Sequence, residues 1–281
     1  MRLFKQYNTQ TTLVVCVLLY LLPTGVRGQP DTLWSRSFIP GGMPMAAIQT
    51  VDGGFAIGTA DWAGDDDRRD ADYLLIKTDS AGVLEWQEFY TLDPDTLFQE
   101  ERCLRIIQLS DSSYVLVGSG PGGPGAMIVR VAPNSEMIFS RFYPDDVFST
   151  FTDCVLCDDE DLVVVSYGLA GKLDADNGDI IWRNSYMFQG SGVIYDLAHT
   201  YDDGYLLTGR ISSIGAGGAD MYAVKIDGNG EVEWRNAYGT EYAETALDAV
   251  QTADGGFCLS GKSSNEEHRN IGMVVRIDAA G

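Results

Sequence analysis

The chain is poor in cysteine, histidine, proline and basic residues: 281 residues hold five Cys, two His and nine Pro, and 19 Lys and Arg stand against 41 Asp and Glu. Each shortage removes a class of function. A net charge of −22 repels phosphate backbones and anionic lipid surfaces, so nucleic acid is excluded as a partner. Two histidines (His199, His268) and a single CxxC (Cys154, Cys157) cannot assemble a zinc framework, so no metal site is expected. The one long apolar run, Leu13 to Leu22, is shorter than the roughly 18 to 20 residues that span a bilayer, so membrane insertion is not expected. No window sustains a capped helical period, and helix content should be negligible. No P-loop, G-x-S-x-G, HExxH or nucleotide-binding fingerprint occurs. PGGPG (121–125) is followed by no helix that could receive a phosphate, so it reads as a turn.

The apolar run belongs to an export signal. Arg2 and Lys5 precede it, and small residues follow at Gly25, Val26 and Gly28, so residues 1–28 form a secretory signal peptide cleaved before Gln29. Its loss removes three basic residues and no acid, leaving a mature chain (29–281) that is secreted or surface-exposed and still more acidic. Cys16 lies inside the apolar run, away from the cleavage point, which argues against a lipid anchor. The four remaining cysteines are irregularly spaced and read as packed or locally bridged structural residues.

What the sequence does have is a phrase said five times. An apolar strand leads into Asp-Gly-Gly-aromatic and a second strand. A third strand ends in Lys or Arg plus an acid, and a glycine turn leads to a fourth strand with Trp. The copies cover about 46–90, 103–143, 152–187, 194–239 and 246–281, the second and third being degenerate. Asp-Gly-Gly between β-rich runs makes a hairpin, because glycine accepts positive φ. Runs such as YLLIK, MIVRV, YAVKI and MVVRI are apolar at successive positions and fit strands covered on both faces. The fourth-strand aromatics are Trp34, Trp86, Phe139, Trp182 and Trp234, spaced about 43 to 53 residues apart, and should wedge between neighbouring sheets. Four short strands at that period define a blade, so the fold class is an all-β propeller of five four-stranded blades in one domain. The fifth copy stops after its third strand, and DTLWSRSF (31–38) carries a fourth-strand pattern at matching phase. The N-terminal strand is therefore expected to complete the last blade and close the ring.

The units DGGF…YLLIKTDSAGVLEW and DGGY…YAVKIDGNGEVEWRNAYG resemble the DGGY-type propeller repeats of secreted bacterial, Bacteroidetes-like proteins associated with type IX secretion. That resemblance implies a propeller and a secreted or cell-surface setting, and it implies no single activity. KLDADNGDIIW also resembles the outer strand of quinoprotein repeats, but the vicinal cysteines of the quinone enzymes are absent and no cofactor is expected.

First strands line the centre of a propeller, and one phase of them carries Ala46, Arg105, Asp153, Asp196 and Asp248. Three carboxylates and an arginine there form a candidate ligand-binding mouth; crowded like charges raise pKa values and the arginine opposes this. The plain alternative is that each aspartate caps its own strand or a nearby turn. Three positions on lie Gln49, Gln108, Leu156, His199 and Gln251, where a lone histidine reads as a hydrogen-bonded strand residue. The acidic loop 61–72 lacks calcium-loop order and reads as solvated. DADNGD (174–179) sits where a tight hairpin is required. A non-enzymatic, monomeric binding or scaffold protein contacting a glycan, peptide or surface protein fits these features, and no catalytic residue is assigned. The alternative is a carbohydrate-active hydrolase using carboxylates among Asp153, Asp196 and Asp248, and a third reading is a module that only spaces or displays other domains.

Overall fold

A computed structural model describes residues 33–38, 42–61, 73–90, 101–121, 124–189, 191–264 and 271–281. The leader (1–28), most of the acidic loop and His268 lie outside them. The chain divides into units Met1–Ser35 and Arg36–Gly281, and every strand lies in the second.

Nineteen strands and no helix occur among the described residues. They form five antiparallel meanders in chain order. The first sheet is β1 (Gly42–Gln49), β2 (Phe55–Asp61), β3 (Tyr73–Thr78) and β4 (Leu84–Tyr90). The second is β5 (Arg102–Gln108), β6 (Tyr114–Ser119), β7 (Gly125–Val131) and β8 (Met137–Pro144). The third is β9 (Asp153–Leu156), β10 (Leu162–Ser166), β11 (Leu169–Leu173) and β12 (Ile180–Ser185). The fourth is β13 (Val193–His199), β14 (Tyr205–Ile211), β15 (Asp220–Ile226) and β16 (Val232–Tyr238). The fifth has three strands, β17 (Ala243–Gln251), β18 (Phe257–Ser264) and β19 (Ile271–Ile277).

The Asp-Gly-Gly phrase has a tertiary reason as well as a local one. In every sheet the cation at the end of the third strand bonds the aspartate of the hairpin before the second strand. The pairs are Lys77–Asp52 (2.8 Å), Arg130–Asp111 (2.8 Å), Lys172–Asp159, Lys225–Asp202 (3.1 Å) and Arg276–Asp254. Lys77 and Lys225 are almost wholly buried and also reach Glu85 and Glu233 of the fourth strand. The first glycine of the phrase takes positive φ, as at Gly53 (+83°). The second makes room: a Cβ on Gly54 would meet the Thr78 carbonyl at 2.1 Å and Lys77 Nζ at 2.7 Å, and Gly204 is crowded likewise by Lys225 and Ile226. In the degenerate copies the second glycine is replaced by a residue that bonds the cation instead. Ser113 Oγ accepts from Arg130 Nε (3.1 Å), and Asp161 pairs with Lys172 (3.3 Å).

Neighbouring sheets are held by a second repeated device. The turn between third and fourth strands presents a carbonyl from a positive-φ residue to the fourth strand of the preceding sheet. Tyr90 Oη donates to Ser135 O (2.8 Å), Tyr143 Oη to Gly178 O, and Tyr186 Oη to Gly230 O (2.7 Å). Asn184 and Asn236 donate side-chain amides to Gly230 O and Gly281 O, both at 3.1 Å. The indoles wedge between sheets as their phase predicts: Trp86 meets Tyr114 edge-on at 6.1 Å and Trp234 meets Phe257 at 5.8 Å, across the first–second and fourth–fifth junctions. DADNGD forms the expected hairpin, with Asp174 N donating to Asp179 O at 2.9 Å.

Four hydrophobic clusters fill the four junctions between consecutive sheets. Third strands β3, β7 and β15 are accordingly buried at every position. The fifth sheet departs from expectation in two ways. Its third strand, β19, is covered on one face only: Met273, Val275 and Ile277 pack toward the fourth sheet while Val274 is 68 % exposed. No strand occurs at 33–38, and no cluster among the described residues joins the fifth sheet to the first. The fold seen in Arg36–Gly281 is a succession of five antiparallel sheets, each packed on the next.

The cysteines are packed, not bridged: all four are free thiols. Three residues apart on an extended strand, Cys154 and Cys157 face opposite ways, into the second–third and third–fourth junctions respectively. Burial pushes both thiols up, and Cys103 with them.

Phenylalanine in place of Tyr186 removes one inter-sheet hydrogen bond while keeping the ring. Chemical denaturation should show a loss of about 1 kcal/mol, and an unchanged midpoint would contradict the role given to the turn carbonyl.

Candidate site on the inner strands

In four of the five sheets the first strand reaches its row residue through a distortion. Register shifts between Pro44 and Ala46, Cys103 and Arg105, Ile194 and Asp196, and Ala246 and Asp248 place a bulge just before the row in four sheets. A bulge re-aims the side chain that follows it, which brings these positions to a common phase. In the third sheet Asp153 starts its strand without one.

The row is connected residue to residue. Arg105 Nε donates to Asp153 Oδ1 at 2.7 Å, and its Nη1 donates to Leu104 O at 3.0 Å. Asp153 Oδ1 accepts from its neighbour Cys154 N (2.9 Å), and Oδ2 accepts from Leu197 N of the fourth sheet (3.2 Å). Asp196 Oδ2 accepts from Ala249 N of the fifth sheet (3.0 Å) and from Thr208 Oγ1 (3.5 Å). Asp153 and Asp196 thus each bond the amide that follows the row residue of the next sheet. They tie sheets together, and Asp153 also bonds the second amide of its own strand. Asp248 is exposed and Arg105 is 43 % exposed. Ala46 contributes no polar group.

Asp196 is half-buried, and its carboxyl is pushed up to about 7. Burial is the largest cause, followed by the negative charges of Asp153 and Asp248 and a hydrogen bond shared with Asp153; the Ala249 amide works the other way. The three carboxyl groups therefore lie within one electrostatic neighbourhood. Chemically the row can hold a proton at Asp196 near neutrality beside Asp153, which is paired with Arg105, and an exposed acid at Asp248.

The second phase behaves as structure. Gln108 Oε1 accepts from Val51 N (2.8 Å) and Gln251 Oε1 from Tyr201 N (2.7 Å), each reaching the hairpin of the preceding sheet. His199 packs on the Tyr205 ring at 5.3 Å. Among the described residues no group of three or more His, Cys, Asp or Glu converges as a metal site, and no helix is long and apolar enough to cross a membrane.

No family model matches the chain, and no curated protein matches it. Solved structures do. A protein of unknown function from Bacteroides caccae has 11 % identity and a TM-score of 0.53, with 88 % of this chain and 82 % of that one covered. One of unknown function from Dyadobacter fermentans has 10 % identity and a TM-score of 0.51, covering 84 % and 79 %. The extracellular domain of a one-component system from B. thetaiotaomicron has 11 % identity and a TM-score of 0.50; 84 % of this chain spans 27 % of that one. At such identities the likeness is one of fold.

The Asp196 carboxyl gives stability a sign that can be measured. Between 3.8, where the group titrates without its surroundings, and about 7, the folded chain keeps a proton that the unfolded chain has lost. Its contribution is complete below the lower value, falls as pH rises through this window, and is flat above it. Asp196→Asn keeps an acceptor for Ala249 N but does not ionise. Urea unfolding from pH 4.5 to 8 should show wild type losing ground to this variant up to about pH 7; parallel curves would contradict the shared proton.

Proposed function

We propose that the chain is an exported, non-enzymatic binding or scaffold propeller of the DGGY-repeat kind, whose glycan, peptide or surface-protein ligand contacts Arg105, Asp153, Asp196 and Asp248. The observation that carries this reading is how the acids are used. Asp153 and Asp196 spend oxygens on the amides of the next sheet, so the row is a rigid rim, while Arg105 and Asp248 keep exposed surface for a ligand. A guanidinium and a carboxylate on a fixed rim suit the hydroxyl and amide groups of a glycan or an extended peptide. The export signal of residues 1–28 and the fold likeness to an extracellular domain agree with a site outside the cytoplasm.

A second reading is kept by one observation: a carboxyl held near 7 beside other carboxylates is the arrangement of a general acid in glycoside hydrolysis. The two readings separate in one set of assays on the mature chain. On a glycan array and a peptide array, binding should be saturable, and Asp248→Asn and Arg105→Ala should each weaken it by about tenfold. Unchanged binding in both variants would remove the row from the ligand site. With aryl glycosides and oligosaccharides no turnover is expected; turnover by wild type that is lost in folded Asp196→Asn would replace the binding reading with the hydrolase.

A further inference from the structure

Away from the inner row, two acids are buried together at the junction of the fourth and fifth sheets. Asp220 opens β15 and Glu244 lies near the start of β17, and both are wholly inaccessible to solvent. A Cβ built on Gly239 would stand 2.2 Å from Asp220 Oδ1 and 2.5 Å from Glu244 Oε2, so these two oxygens are separated by no more than the sum of those distances. Among the described residues neither acid has a basic partner within ion-pair distance.

The hydrogen bonds around them are unequal. Glu244 is supplied with neutral donors on both oxygens: Thr240 Oγ1 (2.6 Å) and Ser263 Oγ (2.9 Å) to Oε1, and Thr240 N (3.1 Å) to Oε2. Asp220 Oδ1 accepts from Ala216 N at 3.2 Å, but Oδ2 is buried with no hydrogen-bond partner. An ionised oxygen in that position is costly unless something positive meets it. The wall on that side is main chain: a Cβ on Gly215, at φ +115°, would come within 2.1 Å of Asp220 Oδ2, and Gly217 is pressed against the Glu241 carbonyl. Gly215 and Gly239 leave main chain beside Asp220 and between the two acids.

We propose that Asp220 and Glu244 bind a hard divalent cation of the calcium type, the remaining ligands being main-chain carbonyls of the 212–219 and 239–243 loops and water. Two carboxylates match a double positive charge, and an all-oxygen set excludes the nitrogen and sulfur preferences of zinc. Oxygens this close suit metal–oxygen distances of about 2.3 to 2.6 Å, and calcium accepts irregular main-chain sets that magnesium does not. The cation would fasten the loop before β15 to the loop before β17, joining the fourth sheet to the fifth. This site is independent of the ligand proposed for the inner row.

The test is thermal unfolding of the mature chain, stripped with EDTA and then returned to millimolar CaCl2. Calcium should raise the wild-type midpoint by about 3 to 8 °C and leave Asp220→Asn/Glu244→Gln unmoved. That variant should melt no lower than stripped wild type, since its buried charges are gone. Should the double variant not fold, Asp220→Asn alone carries the same comparison. A wild-type midpoint indifferent to calcium would overturn the site. A calcium shift that persists in the variant would overturn it too, by placing the ion on other surface acids.

Discussion

A single ion pair, repeated five times, organises each sheet. The cation that ends the third strand reaches across the second strand's hairpin to its aspartate, so three strands are fixed in register by one contact at their common end. Where the cation is a lysine in a good copy it is almost fully buried, and burying an ammonium is tolerable only with its partners in place. Lys77 has Asp52, Glu85 and the Thr78 carbonyl; Lys225 has Asp202, Glu233 and the Ile226 carbonyl. This explains why glycine follows the aspartate so regularly: the ammonium and a strand carbonyl occupy the space a Cβ would need. The apolar clusters between sheets supply the larger share of stability through area removed from water, but they are non-directional. The ion pair sets the register on which their complementarity depends.

The sheets and their order were legible from the sequence because a hairpin signal, a five-residue apolar strand and an aromatic recur at one phase. Trp86 and Trp234 stand between sheets as that recurrence suggests. The ion pair was not legible, although both of its halves were visible as separate parts of the phrase, because nothing along the chain says that residues 13 to 25 positions apart meet at one end of a sheet. The tyrosine clamp was hidden for a similar reason: Tyr143 and Tyr186 look like ordinary strand aromatics until the turn of the following sheet is placed beside them.

The inner row shows how one set of residues can satisfy both structure and chemistry. Counting from the hairpin aromatics found Arg105, Asp153, Asp196 and Asp248 without knowledge of the bulges that aim them. Their connections were beyond reach, since Asp153 and Asp196 bond backbone amides of the next sheet 44 and 53 residues further on. Burial first, and then the charges of Asp153 and Asp248, raise Asp196 into the neutral range against the pull of the Ala249 amide, so the acid that ties two sheets together can also hold a proton. The buried Asp220 and Glu244 carry no motif at all. Only their shared burial, with one oxygen lacking a donor, distinguishes them from the many surface acids of this chain.

The most direct test of the organising ion pair is a double-mutant cycle on Lys225 and Asp202 in the fourth sheet, using Lys225→Met, Asp202→Asn and the two together, with stability read from chemical denaturation. A coupling energy of about 1 to 3 kcal/mol is expected, with Lys225→Met the more damaging single change. Effects that add to within about 0.5 kcal/mol would show that the pair does not hold the sheet, and that the Asp-Gly-Gly phrase serves the hairpin alone.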